Sequence, residues 1–489
     1  MSLASTVDPT ALPGVRVWVR RVLEDLQRGR SCLCLLPDSQ VRPTDAPAER
    51  LLGELLHELG DFLLLPPAER DRVARVPRPR APQAAPAGRW TPSEPLLDYD
   101  DGLSDFEHHT RPLPATPAIT APAPSVPMRT AAADLLERLA KELQGPYSAG
   151  GPAAEGLDDV LARLTEDRPP SRGGQVIVVR AWREASSTAA TDLLRRLTAA
   201  VKEAGLTPTR RPRMLVVATP SGLPAELPDQ ISREDTAVHW WWGVLGRLDT
   251  ATVVSVARPH SPGPAAHHQL LESVVQAAVV EVCGPFLDLA TELATRWDGV
   301  PATLLDELRH VVGAVTAEPA SAGSARRGRR SALQPDNTLR PGWNQGLLDA
   351  WDGQLRCHPG YEPDLEHTVR TRLWLAQNRV LLPLLDDARE EFTEVIRRRS
   401  RLPPGRLAER YRSGPVGTAS APPADGGTAE ALMGMELGAM WGAHLNSHVR
   451  LTREEADRLR VLWDARNRLA HRAALDDHRL KRLVTELCR

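Results

Sequence analysis

Apolar residues recur along this chain in two rhythms, which predict two kinds of structure. Short continuous apolar runs are typical of buried strands, and they occur at residues 32–36, 62–65, 175–179, 214–218 and 250–256. Helical spacing of apolar residues predicts helices between them, over 15–26, 48–58, 129–143 and 189–204. Because strands that alternate with helices form parallel sheets, residues 1–77 and 129–260 are predicted to build one α/β region with a mostly parallel sheet.

After residue 260 the helical rhythm continues alone. It predicts a helical lid over 261–317, in which a long helical segment at 266–297 is interrupted at Gly284 and Pro285. It also predicts an all-α bundle over 343–489, with a helix at 364–399 that Pro383 is expected to kink. Further helices are expected at 436–446, 451–475 and 477–487.

Three stretches interrupt these patterns. Residues 78–128 are rich in proline with few apolar residues, which predicts a disordered insert. Residues 318–342 are rich in glycine, serine and arginine, as in a linker, and 401–428 are predicted to form a loop. With 489 residues, the chain is long enough for roughly two to four domains.

The net charge and the cysteines of the chain indicate which ligands and which cellular compartment to expect. The net charge of −2 gives no global attraction to nucleic acid or anionic lipid, and the basic runs at 326–330 and 397–401 are more typical of solvated linkers than of phosphate-binding patches. The five cysteines are scattered, without zinc-ligand spacing, which indicates a reduced compartment and no metal site. No signal peptide and no membrane span are predicted, so we expect a cytoplasmic protein.

Three consecutive tryptophans, Trp240, Trp241 and Trp242, follow His239. Three such side chains in a row are not expected to face one core, so at least one is predicted to reach a partner, another domain or a base. An anchor for the core at a domain junction is the other interpretation, and it is preferred.

The most informative stretch is the helix predicted over 451–475. Thr452 and Glu455 form a capping box at its start, and Leu459, Leu462, Trp463 and Ala470 recur at helical spacing, which predicts one buried face. Near its end lie Arg466, Asn467 and His471. Arg466 and His471 are about 140° apart around the axis, whereas Asn467 and His471 share a face.

The R-N-x-x-x-H pattern on a late helix resembles the HEPN superfamily, whose ribonuclease members carry an arginine and a histidine at this spacing. The resemblance implies a helical bundle in which two protomers pair these helices to cleave RNA without metal. Histidine can move a proton near neutral pH and arginine can clamp a phosphate. His471 would then be the acid/base, Arg466 the phosphate clamp and Asn467 the orienting amide. The alternatives are an ion pair between Arg466 and a nearby acid such as Asp464, and a His471 that only closes a helical hairpin.

The α/β region resembles the core of P-loop NTPases of the STAND or AAA kind. Residues 176–179 would be the Walker B strand and 214–218 the sensor strand. The chain has no G-x-x-x-x-G-K-[ST] loop, Arg180 stands where Walker B acids are expected, and Glu184 follows late. This favours a degenerate sheet for sensing or scaffolding, with no nucleotide cofactor. In the same relatives a long helix precedes the HEPN motif. Arg389 on the corresponding helix here could support the site, although a surface ion pair with Asp386 or Glu390 is preferred.

Two functions remain open from the sequence. The first is an RNA-cleaving effector or toxin of an antiviral defence system, which acts as a homodimer. The second is a non-catalytic scaffold or sensor subunit that works with a partner ATPase or another defence protein. An ATP-driven enzyme is disfavoured because the lysine that reaches the nucleotide phosphates is absent.

Overall fold

A parallel sheet organises the N-terminal half of the computed structural model. The model describes residues 7–42, 44, 46–67, 131–144, 156–166, 174–184, 187–231, 233–258, 265–313, 333–411 and 430–489. The sheet contains β1 (Ser31–Leu35), β2 (Phe62–Leu64), β3 (Val176–Arg180), β4 (Arg213–Ala218) and β5 (Thr236–Trp240). Its strand order is β2-β3-β4-β1-β5, and every pair is parallel. The predicted α/β organisation of this half is therefore confirmed.

The central strands form because both of their faces are covered. All five residues of β1 are buried, and so are all but the first residue of β4, which fits continuous apolar runs rather than alternation. The helices of this half are α1 (Pro13–Gln27), α2 (Ala46–Leu59), α3 (Ala131–Gln144), α4 (Leu157–Glu166), α5 (Ser187–Glu203), α6 (Leu227–Gln230) and α7 (Arg247–Ala257). Their apolar faces join the sheet in one large core.

The strand predicted at 250–256 is wrong, because this stretch belongs to α7. Its run of β-branched residues is typical of a strand, but tertiary contacts override that preference. The Asp249 carboxylate accepts hydrogen bonds from the backbone N–H groups of Gly246 and Gly14, which stabilises the first turn of the helix. The fifth strand of the sheet is instead β5, which ends at the first of the three tryptophans.

The three tryptophans are all buried, with exposed fractions of 4%, 8% and 6% for Trp240, Trp241 and Trp242. All three therefore belong to the core, in agreement with the preferred interpretation that they anchor it. Trp241 packs edge-on against Trp18, and Trp240 packs edge-on against Trp343. The indole N–H of Trp343 donates to the carbonyl of Trp241 at 3.1 Å, so the cluster joins the sheet to the later part of the chain.

The second half of the chain is mainly helical. It contains α8 (Ala266–Cys283), α9 (Leu287–Arg296), α10 (Leu304–Val312), α11 (Arg340–Asn344), α12 (Leu365–Arg399), α13 (Pro404–Arg410), α14 (Glu430–Met433), α15 (Leu437–Leu445), α16 (Arg453–Ala470) and α17 (Asp477–Leu487). A two-stranded antiparallel hairpin, β6 (Leu348–Trp351) and β7 (Gln354–Cys357), interrupts it. The region predicted to be all-α therefore also holds a hairpin. Pro383 lies inside the single helix α12.

Helix α8 belongs to the same packed body as the C-terminal helices. Its apolar residues share one core with α9, α10 and the first turns of α12, and Val274 extends into the core around α16 and α17. The break predicted at Gly284 and Pro285 is present, because α8 ends there and Gly284 has φ +58. The described residues 265–313 thus pack on the C-terminal bundle as well as beside the sheet.

A buried carboxylate joins the two halves. Glu281 on α8 is fully buried and pairs with Arg247 of α7, with Arg356 of β7 at 3.3 Å and with Arg379 of α12 at 3.1 Å. The Trp351 ring lies between the Arg247 and Arg356 guanidinium groups, at 4.5 and 4.6 Å from its centroid. We call these five residues the Glu281 junction.

Several sequence predictions fall on other parts of the chain. The insert at 78–128 and the basic run at 326–330 lie outside the described residues, as do 318–332 of the linker and 412–428 of the loop. The described ends of the last two segments hold the short helices α11 and α13. Among the described helices, none has the length and apolar character needed to cross a bilayer.

Candidate functional site

The candidate site lies at the C-terminal end of α16. The helix begins at the predicted capping box, in which the Thr452 hydroxyl accepts from the Glu455 N–H and the Glu455 carboxylate accepts from the Thr452 N–H. Leu459, Leu462 and Leu469 are buried, so one face packs into the bundle. Trp463, also assigned to that face from the sequence, is half-buried and packs against the same core, whereas Ala470 is exposed.

The helix ends in a Schellman motif immediately after the site residues. His471 is the C-cap residue, the Arg472 N–H donates to the Leu469 carbonyl, and the Ala473 N–H donates to the Arg468 carbonyl. Arg472 has φ +57, where glycine is the usual residue. The end of α16 therefore holds a positively charged side chain, that of Arg472, on a residue with a strained backbone conformation.

Side chains of α12 hold this helix end in place. The indole N–H of Trp374 donates to the Leu469 carbonyl at 2.7 Å. The buried Gln377 amide makes two bonds to Leu475, donating to its carbonyl at 2.9 Å and accepting from its N–H at 2.6 Å. The Arg472 guanidinium lies 5.7 Å from the centre of the Trp374 ring. The turn after α16 is thus fixed from a second helix.

The three predicted site residues lie within six positions at the end of α16, and each has contact with solvent. Asn467 and His471 are exposed, and Arg466 is half-buried. Within the described part of the chain, their side chains make no hydrogen bond or ion pair. The alternative partner proposed for Arg466, Asp464, lies 3.5 Å from Arg479 instead. An arginine, an amide and an imidazole without partners on a rigid helix end can bind and protonate an anion such as a phosphodiester.

Sequence reasoning did not assign a role to the residues that support the site. The sequence places Trp374 and Gln377 on the helix predicted at 364–399, at positions that share a face with apolar residues, but it does not indicate what they or Arg472 contact. A buried glutamine on such a face was the available signal, because a buried amide needs hydrogen-bond partners. Arg389 lies near Asp386 and Glu390, at 4.0 and 3.5 Å, which confirms the preferred surface ion pair.

The carboxyl ends of β1 and β4 form the other place where a ligand could bind. The chain leaves β1 toward one side of the sheet and leaves β4 toward the other side. Open parallel sheets bind ligands at the point between two such strands. Here the polar groups satisfy one another: the Ser221 hydroxyl donates to the Asp38 carboxylate at 2.7 Å, and the Asp38 N–H donates to the Asn344 amide oxygen at 2.9 Å. Asn344 comes from α11, so a later part of the chain closes this edge.

The acids beside this edge are paired as well. Glu184 binds Arg138, and Glu49 lies 3.0 Å from Arg183 and 3.7 Å from Arg180. No group of three or more histidine, cysteine or acidic residues with metal-binding geometry occurs within the described ranges. Burial raises the pKa of the Cys32, Cys34 and Cys283 thiols, so these cysteines are protonated core residues and not nucleophiles.

Comparison with known proteins does not indicate a family or a function for this chain. No protein-family model, no curated protein and no solved structure matches the chain. The function is therefore argued from the residues of the site itself.

Proposed function

We propose that this protein is a metal-independent endoribonuclease whose site is built by Arg466, Asn467 and His471 from two copies of the chain. The observation that carries the proposal is that these three side chains are accessible and free of described partners at a rigidly held helix end. A structural role for them would be expected to show as contacts within the chain. The resemblance of their spacing to HEPN ribonucleases suggests RNA as the substrate.

The reaction would be an attack of a ribose 2′-OH on the adjacent phosphate. One His471 imidazole takes the 2′-OH proton as the new P–O bond forms. The His471 of a second copy, in its protonated form, gives a proton to the departing 5′-oxygen as the old bond breaks. The products are a 2′,3′-cyclic phosphate and a 5′-hydroxyl end, so atoms and charge balance without a metal.

The other two residues would stabilise the transition state. Arg466 can donate two parallel N–H bonds to the non-bridging phosphate oxygens as negative charge develops. Asn467 shares the helix face of His471, so its amide can orient the imidazole or a phosphate oxygen. The two proton transfers need two imidazoles, and in this proposal the second one is the His471 of a second copy.

We propose that the α/β half is the sensing or scaffolding part. It lacks the phosphate-binding loop, and Asp38, Ser221 and Asn344 occupy the edge where a nucleotide would lie. We expect no micromolar ATP binding. The alternative function is a non-catalytic scaffold whose helical half mediates oligomerisation or partner binding.

The test is RNA cleavage by purified protein in the presence of EDTA, with a fluorescent single-stranded RNA. We expect His471→Ala to lower the cleavage rate by about 10²–10⁴-fold, the usual contribution of a general acid–base residue. The matched control is His478→Ala, which removes another exposed histidine from the same end of the molecule. Products should carry 2′,3′-cyclic phosphate ends.

Equal cleavage by wild type and His471→Ala would identify a contaminating nuclease and contradict the proposal. Expression in cells gives a second reading: the wild type, but not His471→Ala, should reduce growth and total RNA integrity. Harmless expression of both proteins, also during phage challenge, would leave the scaffold as the function.

A further inference from the structure

Strand β5 has an open edge. Among the described strands it pairs only with β1. The ladder between them includes the bonds from the Ser31 N–H to the Asp235 carbonyl and from the Trp241 N–H to the Leu35 carbonyl. Since alternate residues of a parallel strand bond to the same neighbour, the odd-numbered residues of β5 face β1. The backbone groups of Val238 therefore point away from the sheet.

These backbone groups have no described partner. The Trp240 carbonyl at the same edge accepts from the Trp18 indole at 3.1 Å, so the edge is covered at that end. Within the described ranges, neither the N–H nor the carbonyl of Val238 takes part in a hydrogen bond. An unpaired backbone N–H and carbonyl on an edge strand can form hydrogen bonds with the backbone of an added strand.

A cleft of about 660 Å³ runs beside this edge. Its lining includes Ala237, Val238 and His239 of the strand and residues of α1. Val17 and Leu333, which are 46% and 77% exposed, also line it. Large apolar side chains at that exposure beside a free strand edge are suited to the side chains of an extended peptide.

The lining of the cleft carries four arginines and four acids, so its formal charges balance, but the described partners satisfy the acids and leave two of the arginines unpaired. Asp25 and Glu24 pair with Arg28, and Asp25 also pairs with Arg30 at 2.9 Å. Two further acids in the lining, Asp249 and Asp352, accept backbone hydrogen bonds. The side chains of Arg21 and Arg233 are exposed and have no ion pair among the described residues. They favour an anionic occupant.

We propose that the open edge of β5 binds an extended acidic peptide of a partner protein as a sixth strand. The juxtaposition that carries this is the free Val238 backbone, the exposed Val17 and Leu333 side chains and the two free arginines in one cleft. Main-chain bonds would provide the register, and acidic side chains of the peptide would face Arg21 and Arg233. A nucleic acid would use the arginines but would have no need of the strand edge.

The test is fluorescence anisotropy with a labelled octapeptide of alternating valine and glutamate, against the matched valine–lysine octapeptide. We expect the full-length protein to bind the acidic peptide at least tenfold more tightly. Val238→Pro removes the outward N–H without breaking the ladder to β1, and proline is tolerated on edge strands. It should weaken binding at least tenfold, whereas Val238→Ala should stay within threefold.

The exposed double variant Arg21→Glu and Arg233→Glu provides a second reading that does not alter the strand. It should also weaken binding of the acidic peptide at least tenfold. Equal binding of the two peptides, or equal affinity of Val238→Pro and Val238→Ala, would overturn the proposal. So would binding of a single-stranded RNA 12-mer that the charge reversal abolishes and the proline leaves intact. A self-association of the wild type that Val238→Pro abolishes would identify a second copy as the occupant and equally overturn it.

Discussion

The carboxyl edge of the sheet and the end of α16 are both places where polar side chains gather, but they differ in how those side chains are satisfied. At the sheet edge, Asp38, Ser221 and Asn344 bond to one another. At the end of α16, Arg466 and His471 have no partner within the described part of the chain. Self-satisfied polar groups belong to the architecture, whereas unsatisfied ones on a rigid element remain available to a ligand.

The two halves of the molecule therefore differ in whether their polar groups are available to a ligand. The sheet edge resembles a ligand site in topology only, because its donors and acceptors are already used. The end of α16 is open to solvent among the described residues. Its Arg466, Asn467 and His471 side chains have no partner there, and its backbone is fixed by Trp374 and Gln377. Three substitutions test how the halves are joined and how firmly each place is built.

The largest effect is expected at the Glu281 junction, which holds the halves together. Glu281→Ala leaves Arg356 as a buried cation without its counter-charge, and we expect it to lower the free energy of unfolding by about 3–5 kcal/mol. Urea denaturation measures this. The control is Glu366→Ala, which removes an exposed pair with Arg370 and should cost less than about 1 kcal/mol. A similar loss for both variants would mean that the junction does not join the halves.

A smaller loss is expected from Gln377→Leu, which tests how firmly the end of α16 is held. The change leaves the N–H and the carbonyl of Leu475 without partners, and each buried unsatisfied group costs about 1–3 kcal/mol. We expect a total loss of about 2–4 kcal/mol and faster amide exchange at Leu475. Asn378→Ala at the neighbouring position should leave both quantities unchanged. If Gln377→Leu behaves like this control, α12 does not fix the site.

The smallest effect concerns Asp349, which ties the hairpin to the loop after β5. Its carboxylate accepts from the Gly243 N–H at 3.0 Å, and burial raises the pKa of this carboxyl to about 7. Because the folded state binds the proton more tightly than the unfolded chain, Asp349 contributes stability at low pH that is lost as the pH rises from about 4 to about 7. The half-buried side chain keeps contact with water, so we expect a change of about 1–2 kcal/mol.

The measurement is the difference in unfolding free energy between wild type and Asp349→Asn across this pH range. Asparagine keeps the oxygen that accepts from Gly243 and removes the proton equilibrium. The wild type should lose stability relative to the variant with rising pH. A difference that stays constant from pH 4 to pH 8 would show that this carboxyl does not titrate differently in the folded protein.

The sequence predicted elements well where local signals and tertiary packing agree. Strands β1, β3 and β4 are apolar on both faces, and the Thr452 capping box marks the start of α16. The prediction was wrong at 250–256 because β-branched residues there occupy a helix that Asp249 caps. It also missed β5, whose end coincides with the tryptophan cluster.

For the site, the sequence identified the side chains and the structure supplied their surroundings. Arg466, Asn467 and His471 come from one short motif, so local spacing placed them together. Their supports, Trp374 and Gln377, lie almost a hundred residues away along the chain. The closure of the sheet edge by Asn344 spans 306 residues, and no local pattern encodes such a contact.

One stretch of α12, from Arg372 to Arg379, touches both regions. Arg379 binds Glu281, while Trp374 and Gln377 bind the turn that carries His471. These contacts fall within about 10 Å along a single helix. A displacement of the sheet, for example when a molecule binds at its edge, would therefore be transmitted to the turn that carries His471 through two turns of α12. The connection between the two halves is short, and a continuous helix forms it.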